Sequence, residues 1–142
     1  MKIGIVGQGY VGSAVREVFS KHYETNTFDL NGNCTCRDLE ELIDSSDVIF
    51  VCVPTPMKKD GSCDTSIVES VVDNIEDVDI SGKIVAIKST IPPGTTNKLN
   101  KKCKNISVIF NPEFLTEANF IEDFRNQSRI IIGGERPSST KL

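Results

Sequence analysis

A doubly wound α/β fold, with a mostly parallel sheet of six strands in a single domain, is what this 142-residue sequence predicts. Three observations carry the prediction. Short Val- and Ile-rich runs recur along the chain, and several are apolar without alternation, as in strands covered on both faces. Amphipathic stripes at helical spacing lie between them. The first run leads directly into glycines at 7, 9 and 12, in front of one of those stripes.

The elements are taken in chain order. The first strand is KIGIV (2–6). Val11, Ala14, Val15, Val18 and Phe19 then recur at i, i+3, i+4, i+7 and i+8, which predicts a helix. The second strand is TNTFD (25–29), followed by a short helix over RDLEELI (37–43) and a third strand over DVIFVCV (47–53). Ile67, Val68, Val71, Val72 and Ile75 form a second stripe, opened by Ser66 and Glu69 as a capping box. KIVAIKS (83–89) is the fourth strand, GTTNKLNKKC (94–103) a weaker helix, and ISVIF (106–110) the fifth strand. Pro112 disfavours helix at Asn111 but suits a first turn. A helix is therefore expected to start there and to continue through FLTEANFIEDF (114–124), with Glu113 and Glu117 at i and i+4 on one face. RIIIG (129–133) is the sixth strand, and ERPSSTKL (135–142) reads as a loop. Strict alternation of strand and helix implies right-handed crossovers, with no internal linker or repeat.

Composition bounds the function. The chain is 38% hydrophobic and 25% charged, ordinary for a globular protein. Its net charge of −4 argues against a nucleic-acid binder. No apolar run reaches the length of a membrane span, and Met1-Lys2 leads straight into IGIVG rather than a secretory leader. The five cysteines, Cys34, Cys36, Cys52, Cys63 and Cys103, are odd in number and form no CxxC pair. That makes a disulfide scaffold and a zinc site poor readings, leaves no metal site to expect, and fits a reduced cytoplasm. Cys52, inside VIFVCV, reads as a packed apolar residue.

In a sheet of this class ligands sit beyond the carboxyl ends of the strands. There Gly7, Gly9 and Gly12 have the GxGxxG spacing between a strand and a helix, the setting of a dinucleotide-binding turn. Gly7 permits the turn, Gly9 lets a pyrophosphate approach, and Gly12 lets the helix pack on the strand. Asp29 ends the next strand, placed to accept ribose hydroxyls and to repel a 2′-phosphate, which selects NAD over NADP. VPTP (53–56) leaves the third strand, and Thr55 can present a hydroxyl to a cofactor; taken alone, Pro-Thr-Pro serves equally as a rigid connector. Ser89 and Thr90 leave the fourth strand before a Pro-Pro-Gly stop, a place that is often structural. NPEFLTEA (111–118) leaves the fifth, with two carboxylates at the ligand edge.

Four strand-end motifs in this order, GQGYVG, VPTP, KSTIPPGTT and NPEFLTEA, with SRIIIGG after them, resemble the NAD-binding N-terminal domain of the UDP-glucose/GDP-mannose dehydrogenase family. The resemblance covers nearly the whole chain and implies a Rossmann-type domain over 1–142, without the family's central helix and C-terminal domain. Family members oxidise a nucleotide sugar at C6 from alcohol to acid with two NAD and a covalent cysteine intermediate. By resemblance, Gly7, Gln8, Gly9, Tyr10, Val11 and Gly12 hold the pyrophosphate and Asp29 the adenosine ribose. Val53, Pro54, Thr55, Pro56 and Met57, with Ser89, Thr90 and Ile91, line the cofactor. Thr90 and Glu117 position or activate water, Glu117 also lying against the cofactor. Glu113, Phe114 and Leu115 lie against the sugar, Glu113 as acid/base.

The implied partner is a nucleotide sugar, UDP-glucose first, once a C-terminal domain completes the site; the chain as it stands is expected to be a monomer or weak oligomer. It departs from the family pattern in three places: LNGNC follows Asp29 without a basic residue, Thr116 stands where Arg is common, and Phe120 where a small residue is common. No cysteine lies in the family's GGxC context, so the chain reads either as a piece of a longer enzyme or as a short relative. The alternative function is a stand-alone dinucleotide-binding module without turnover. A hydroxyacid dehydrogenase of the 6-phosphogluconate type shares the first turn, but NPEFLTEA argues against it.

Overall fold

The computed structural model describes residues 1–78 and 81–142. Five strands, β1 (Lys2–Val6), β2 (Glu24–Phe28), β3 (Val48–Val51), β4 (Lys83–Ile87) and β5 (Ile106–Phe110), form one sheet in the order β2-β1-β3-β4-β5. Every ladder is parallel. The helices are α1 (Tyr10–Phe19), α2 (Leu39–Asp44), α3 (Ser66–Glu76), α4 (Thr95–Lys102), α5 (Phe120–Arg125) and α6 (Ser138–Lys141). The expected doubly wound α/β architecture is present. Its strand order reverses between β1 and β3, which opens a crevice at their carboxyl ends.

Strand parity builds two cores from continuous apolar runs. Ile49, Val51, Val85, Ile87 and Val108 pack on one side with Leu42, Val68, Val72, Ile75 and Leu99 from α2, α3 and α4. Ile3, Ile5, Val48, Phe50, Ile84 and Ala86 point to the other side, against Ala14 and Val15 of α1 and Phe124 of α5. Successive side chains in a strand face opposite ways, so a central strand covered by both layers is apolar at every position. All four residues of β3 are buried.

Four expectations need correction. The sixth strand does not form. Residues 129–133 meet β5 through a single antiparallel bridge, Phe110 with Gly133, whose two N–H···O bonds are both 2.7 Å. Ile130 and Ile131 are 69% and 44% exposed, so this run has an apolar sequence without the second covering layer that a buried strand needs. The helix after β5 begins late. Residues 111–116 are irregular, Glu117–Asn119 form a 3-10 turn, and α5 starts at Phe120. Glu113 and Glu117 therefore do not share a helix face. Side-chain bonds to the backbone outcompete the helix here. The Glu113 carboxylate accepts the N–H of Leu115, and Asp123 accepts both the N–H and the hydroxyl of Thr116, at 2.8 and 2.6 Å.

The third correction concerns α3. Its cap is Thr65 rather than Ser66, and the Thr65 hydroxyl bonds the Glu69 carboxylate at 2.7 Å while Asp64 accepts the N–H of Ser66 at 3.0 Å. The tail expected as loop carries the short α6. No helix among the described residues is long and apolar enough to cross a membrane.

The connection between α2 and β3 is held from β4. Lys83, half-buried, donates its ammonium to the carbonyls of Ile43 and Ser46, at 2.5 and 2.6 Å. The Ile43 carbonyl also accepts the Ser46 N–H at 3.2 Å, and both carbonyls stand at a helix C-terminus, where a cation is favoured. Lys83→Met keeps the stem and removes both bonds. It should lower unfolding free energy by about 1–3 kcal/mol, read from the midpoint of urea denaturation at unchanged slope.

Candidate functional site

The turn from β1 into α1 is closely packed. Gly7 has φ +93°, and a Cβ there would meet the Cys52 carbonyl oxygen at 2.6 Å. A Cβ on Gly12 would overlap the Gly7 carbonyl. Gly9 differs, since its Cβ would meet nothing within 4 Å. The protein itself does not require glycine at 9, and Gly9 lines an open hollow. Behind it α1 starts with no side-chain cap and no acid in its first turn. Its free N–H groups and positive dipole end thus carry no acid in the first turn, the setting that accepts a phosphate.

Asp29 lies one residue beyond β2 and is tied to the turn. Its Oδ2 accepts the N–H of Gln8 at 2.6 Å, and its Oδ1 accepts the N–H of Asn31 at 2.7 Å. Each carboxylate oxygen has a second lone pair left for a ligand hydroxyl.

Two hollows flank the turn and share Val53 and Pro54. One, about 600 Å³, holds Gly7, Asp29, Leu30 and Asn31 with the start of α3. The other, about 440 Å³, is lined by Gly9, Tyr10, Val11, Cys52, Thr55, Lys88, Ser89, Thr90, Glu113 and Glu117. Together they form a two-ended cleft with an acid at one end and two carboxylates and a threonine at the other. A dinucleotide fits this arrangement, because its two nucleosides are joined by the pyrophosphate that the glycine turn and α1 favour. Glu113 and Glu117, separated by irregular chain, still reach one hollow.

The other residues singled out from sequence fall differently. The Ser89 hydroxyl donates to the Val53 carbonyl at 2.7 Å and joins the exits of β3 and β4. The Thr90 carbonyl accepts from the Cys63 thiol at 3.5 Å. Ile91 is buried in the α2–α4 core. Pro56 is exposed, and Met57, 78% exposed, bridges to Cys63 across the loop. Phe114 is exposed beneath the Arg129 guanidinium, 4.7 Å from its ring centre, and Leu115 packs on the α1–α5 core. Phe120 meets Tyr10 edge-on at 5.4 Å, at the margin of the second hollow.

Two wall residues are not among the site residues that the sequence singles out. Lys88 precedes Ser89 in the KST stretch and has the pattern of a strand residue. Cys52 is expected to pack, and it does, 9% exposed, while also touching the hollow. Burial pushes its thiol up to about 12, with the charge of Lys88 opposing the shift.

Residues 24–142 match a family described as the UDP-glucose/GDP-mannose dehydrogenase family, NAD binding domain. A UDP-glucose 6-dehydrogenase of Streptococcus pneumoniae is 30% identical over an alignment that covers 98% of this chain and 42% of that protein. UDP-glucose 6-dehydrogenase 4 of Arabidopsis thaliana is 37% identical over 84% of this chain and 28% of its own length. The crystal structure of a ternary complex of GDP-mannose dehydrogenase from Pseudomonas aeruginosa superposes with a TM-score of 0.83 and 25% identity, over 100% of this chain and 43% of that one. The chain thus spans less than half the length of each of these relatives.

Two outcomes test this geometry. Gly12→Ala should lower the thermal midpoint sharply, because backbone must move, whereas Gly9→Ala should leave it near that of the unaltered protein; differential scanning calorimetry separates them. At pH 8, Cys52 should alkylate with iodoacetamide more than about 100-fold slower than an ordinary exposed thiol, as followed by peptide mass mapping.

Proposed function

The chain belongs to the UDP-glucose/GDP-mannose dehydrogenase family, as its NAD-binding domain, and on that premise we propose that it is the cofactor half of a nucleotide-sugar 6-dehydrogenase acting on UDP-glucose or a close relative. The observation that carries this reading is the two-ended cleft across the glycine turn, with Asp29 in one hollow and Thr90, Glu113 and Glu117 in the other. We read residues 1–142 as the cofactor domain, with the rest of the sugar-nucleotide pocket supplied from outside it.

NAD, when bound, supplies the hydride acceptor. The chain's part is to bind, orient and manage protons. Residues Gly7 to Gly12 and the first turn of α1 would take the pyrophosphate, and Asp29 the adenosine ribose. Val53 and Pro54 form the shared wall of the two hollows and Thr55 lines the second, which suits them to line the cofactor. Glu113 would face the sugar and take or give a proton. Its Oε2 is held by the Leu115 N–H, which orients the carboxylate and leaves Oε1 free to act. Thr90 and Glu117 would hold the water that releases the acid product. General acid–base help of this kind contributes about 10²–10⁴-fold.

The thiol of the covalent route has no candidate in this hollow. Cys52 is the one cysteine lining it among the described residues. It is buried, with its pKa pushed to about 12, so its thiolate is scarce at neutral pH. This supports a domain that binds NAD without completing the oxidation alone.

Calorimetric titration of the 142-residue protein should show NAD binding at least about tenfold tighter than NADP, since a 2′-phosphate would bring a second negative charge beside Asp29. Asp29→Ala should weaken NAD and narrow that ratio, and Gly9→Ala should weaken NAD without loss of folding. Equal binding of NADP by the unaltered protein would remove the role assigned to Asp29. With excess NAD and a panel of nucleotide sugars, no sustained rise in NADH absorbance is expected. Turnover abolished by Glu113→Gln would mean that the chain holds a complete site.

A further inference from the structure

Lys88 is the one charged residue in the interior among the described residues, 4% exposed. It lies one residue beyond β4 and shares the parity of Ile84 and Ala86, so it faces the α1–α5 layer. Its ammonium donates to the backbone carbonyl and to the side-chain Oδ1 of Asn111, both at 3.2 Å, and lies 5.4 Å from the centre of the Phe124 ring. Asn111 in turn gives its N–H to the Ile87 carbonyl and its Nδ2 to the Ile131 carbonyl, both at 2.9 Å. Every polar group of Asn111 is therefore engaged, and Lys88 takes both acceptors.

The segment beyond Asn111 gives these bonds their importance. Residues 112–116 have no helix or strand to place them. Their far end is tied by Asp123, which accepts from Thr116 twice. Their near end is Asn111. Glu113 lies between these anchors and Glu117 just past the second.

Packing alone does not call for a lysine here. Burial disfavours the ammonium and pushes its pKa down. A methionine of similar shape would fill the space without that penalty. Lysine differs in donating to two oxygens and in placing a positive charge in the wall that it shares with Glu113. We propose that Lys88 is a positioning residue: its ammonium fixes Asn111 and thereby sets where residues 112–117 present Glu113 and Glu117 to the hollow. The catalytic meaning of this placement rests on the nucleotide-sugar dehydrogenase reading.

Nuclear magnetic resonance on the nitrogen-15-labelled 142-residue protein tests it. The Lys88 ammonium should give a slowly exchanging signal with a cross-peak to the Asn111 side chain, and Asn111→Leu should abolish it. In Lys88→Met, the amides of Asn111, Leu115 and Gly133 should exchange about tenfold faster or more, while those of Ile5 and Phe50 keep their rates. The double variant Lys88→Met/Asn111→Leu should exchange at Leu115 no faster than Asn111→Leu alone, because both act through one contact. Unchanged exchange at residues 111–117, or additive effects in the double variant, would overturn the proposal. If Lys88→Met does not fold, the signal in the unaltered protein decides, and a missing cross-peak to Asn111 sinks the idea. If the unaltered protein fails to bind NAD, the dehydrogenase reading falls, while the exchange data still decide the placement of the acids.

Discussion

The close approach of α1 to the turn that leaves β1 is the contact on which the rest of this molecule depends. Gly7 and Gly12 leave no room for a side chain, because the Cys52 carbonyl stands on one side of the turn and the turn's own carbonyl on the other. The turn is thereby wedged between the exit of β3 and the start of α1. Its outer edge, at Gly9, faces open space. Sequence, backbone conformation and ligand chemistry meet at that edge: small residues permit the approach, the approach aims the helix N-terminus outward, and the aimed N-terminus favours a phosphate. The two hollows lie on either side because the strand order reverses between β1 and β3.

A second layer of control sits at the end of β5. The acids of this edge are carried on irregular chain, which has fewer internal restraints than a helix. Three local devices replace the missing helix: Lys88 on Asn111, the Glu113 carboxylate on Leu115, and Asp123 on Thr116. Each is a side chain bonded to backbone a short distance away in space, and each competes with helix formation at the same residues. The result is a segment held at both ends and turned so that two carboxylates reach one hollow. Ion pairs elsewhere, such as Lys98–Glu69 and Lys102–Asp73 between α3 and α4, lie at the surface and contribute little by comparison.

Much of the fold was legible along the chain, for a physical reason that differs by element. The strands at 2–6, 83–87 and 106–110 are continuous Val and Ile runs, and only burial on both faces makes such a run favourable in water. The same rule misled at 129–133, where RIIIG has the composition of a buried strand but Ile130 and Ile131 have no layer to cover them. The cofactor end of the site was readable because it is local: three glycines, one helix start and one acid within thirty residues. The cap of α3 lies one residue earlier than its pattern suggests: the Thr65 hydroxyl takes the Glu69 carboxylate, and Asp64 takes the Ser66 N–H.

The sequence by itself determined the alternation of strand and helix, the glycine turn, the acid beyond β2 and the two carboxylates beyond β5, since each depends on residues close together in the chain. Only the tertiary structure decided that Lys88 is buried against Asn111, and that Cys52, packed as its strand implies, is also a wall of the hollow with its thiol pKa raised by burial. It also decided that Glu113 and Glu117 reach one hollow across irregular chain rather than along a helix. Lys88 and Asn111 are 23 residues apart. Their contact exists because β4 and β5 are neighbours in the sheet, and no periodicity or local propensity encodes a distance of that kind.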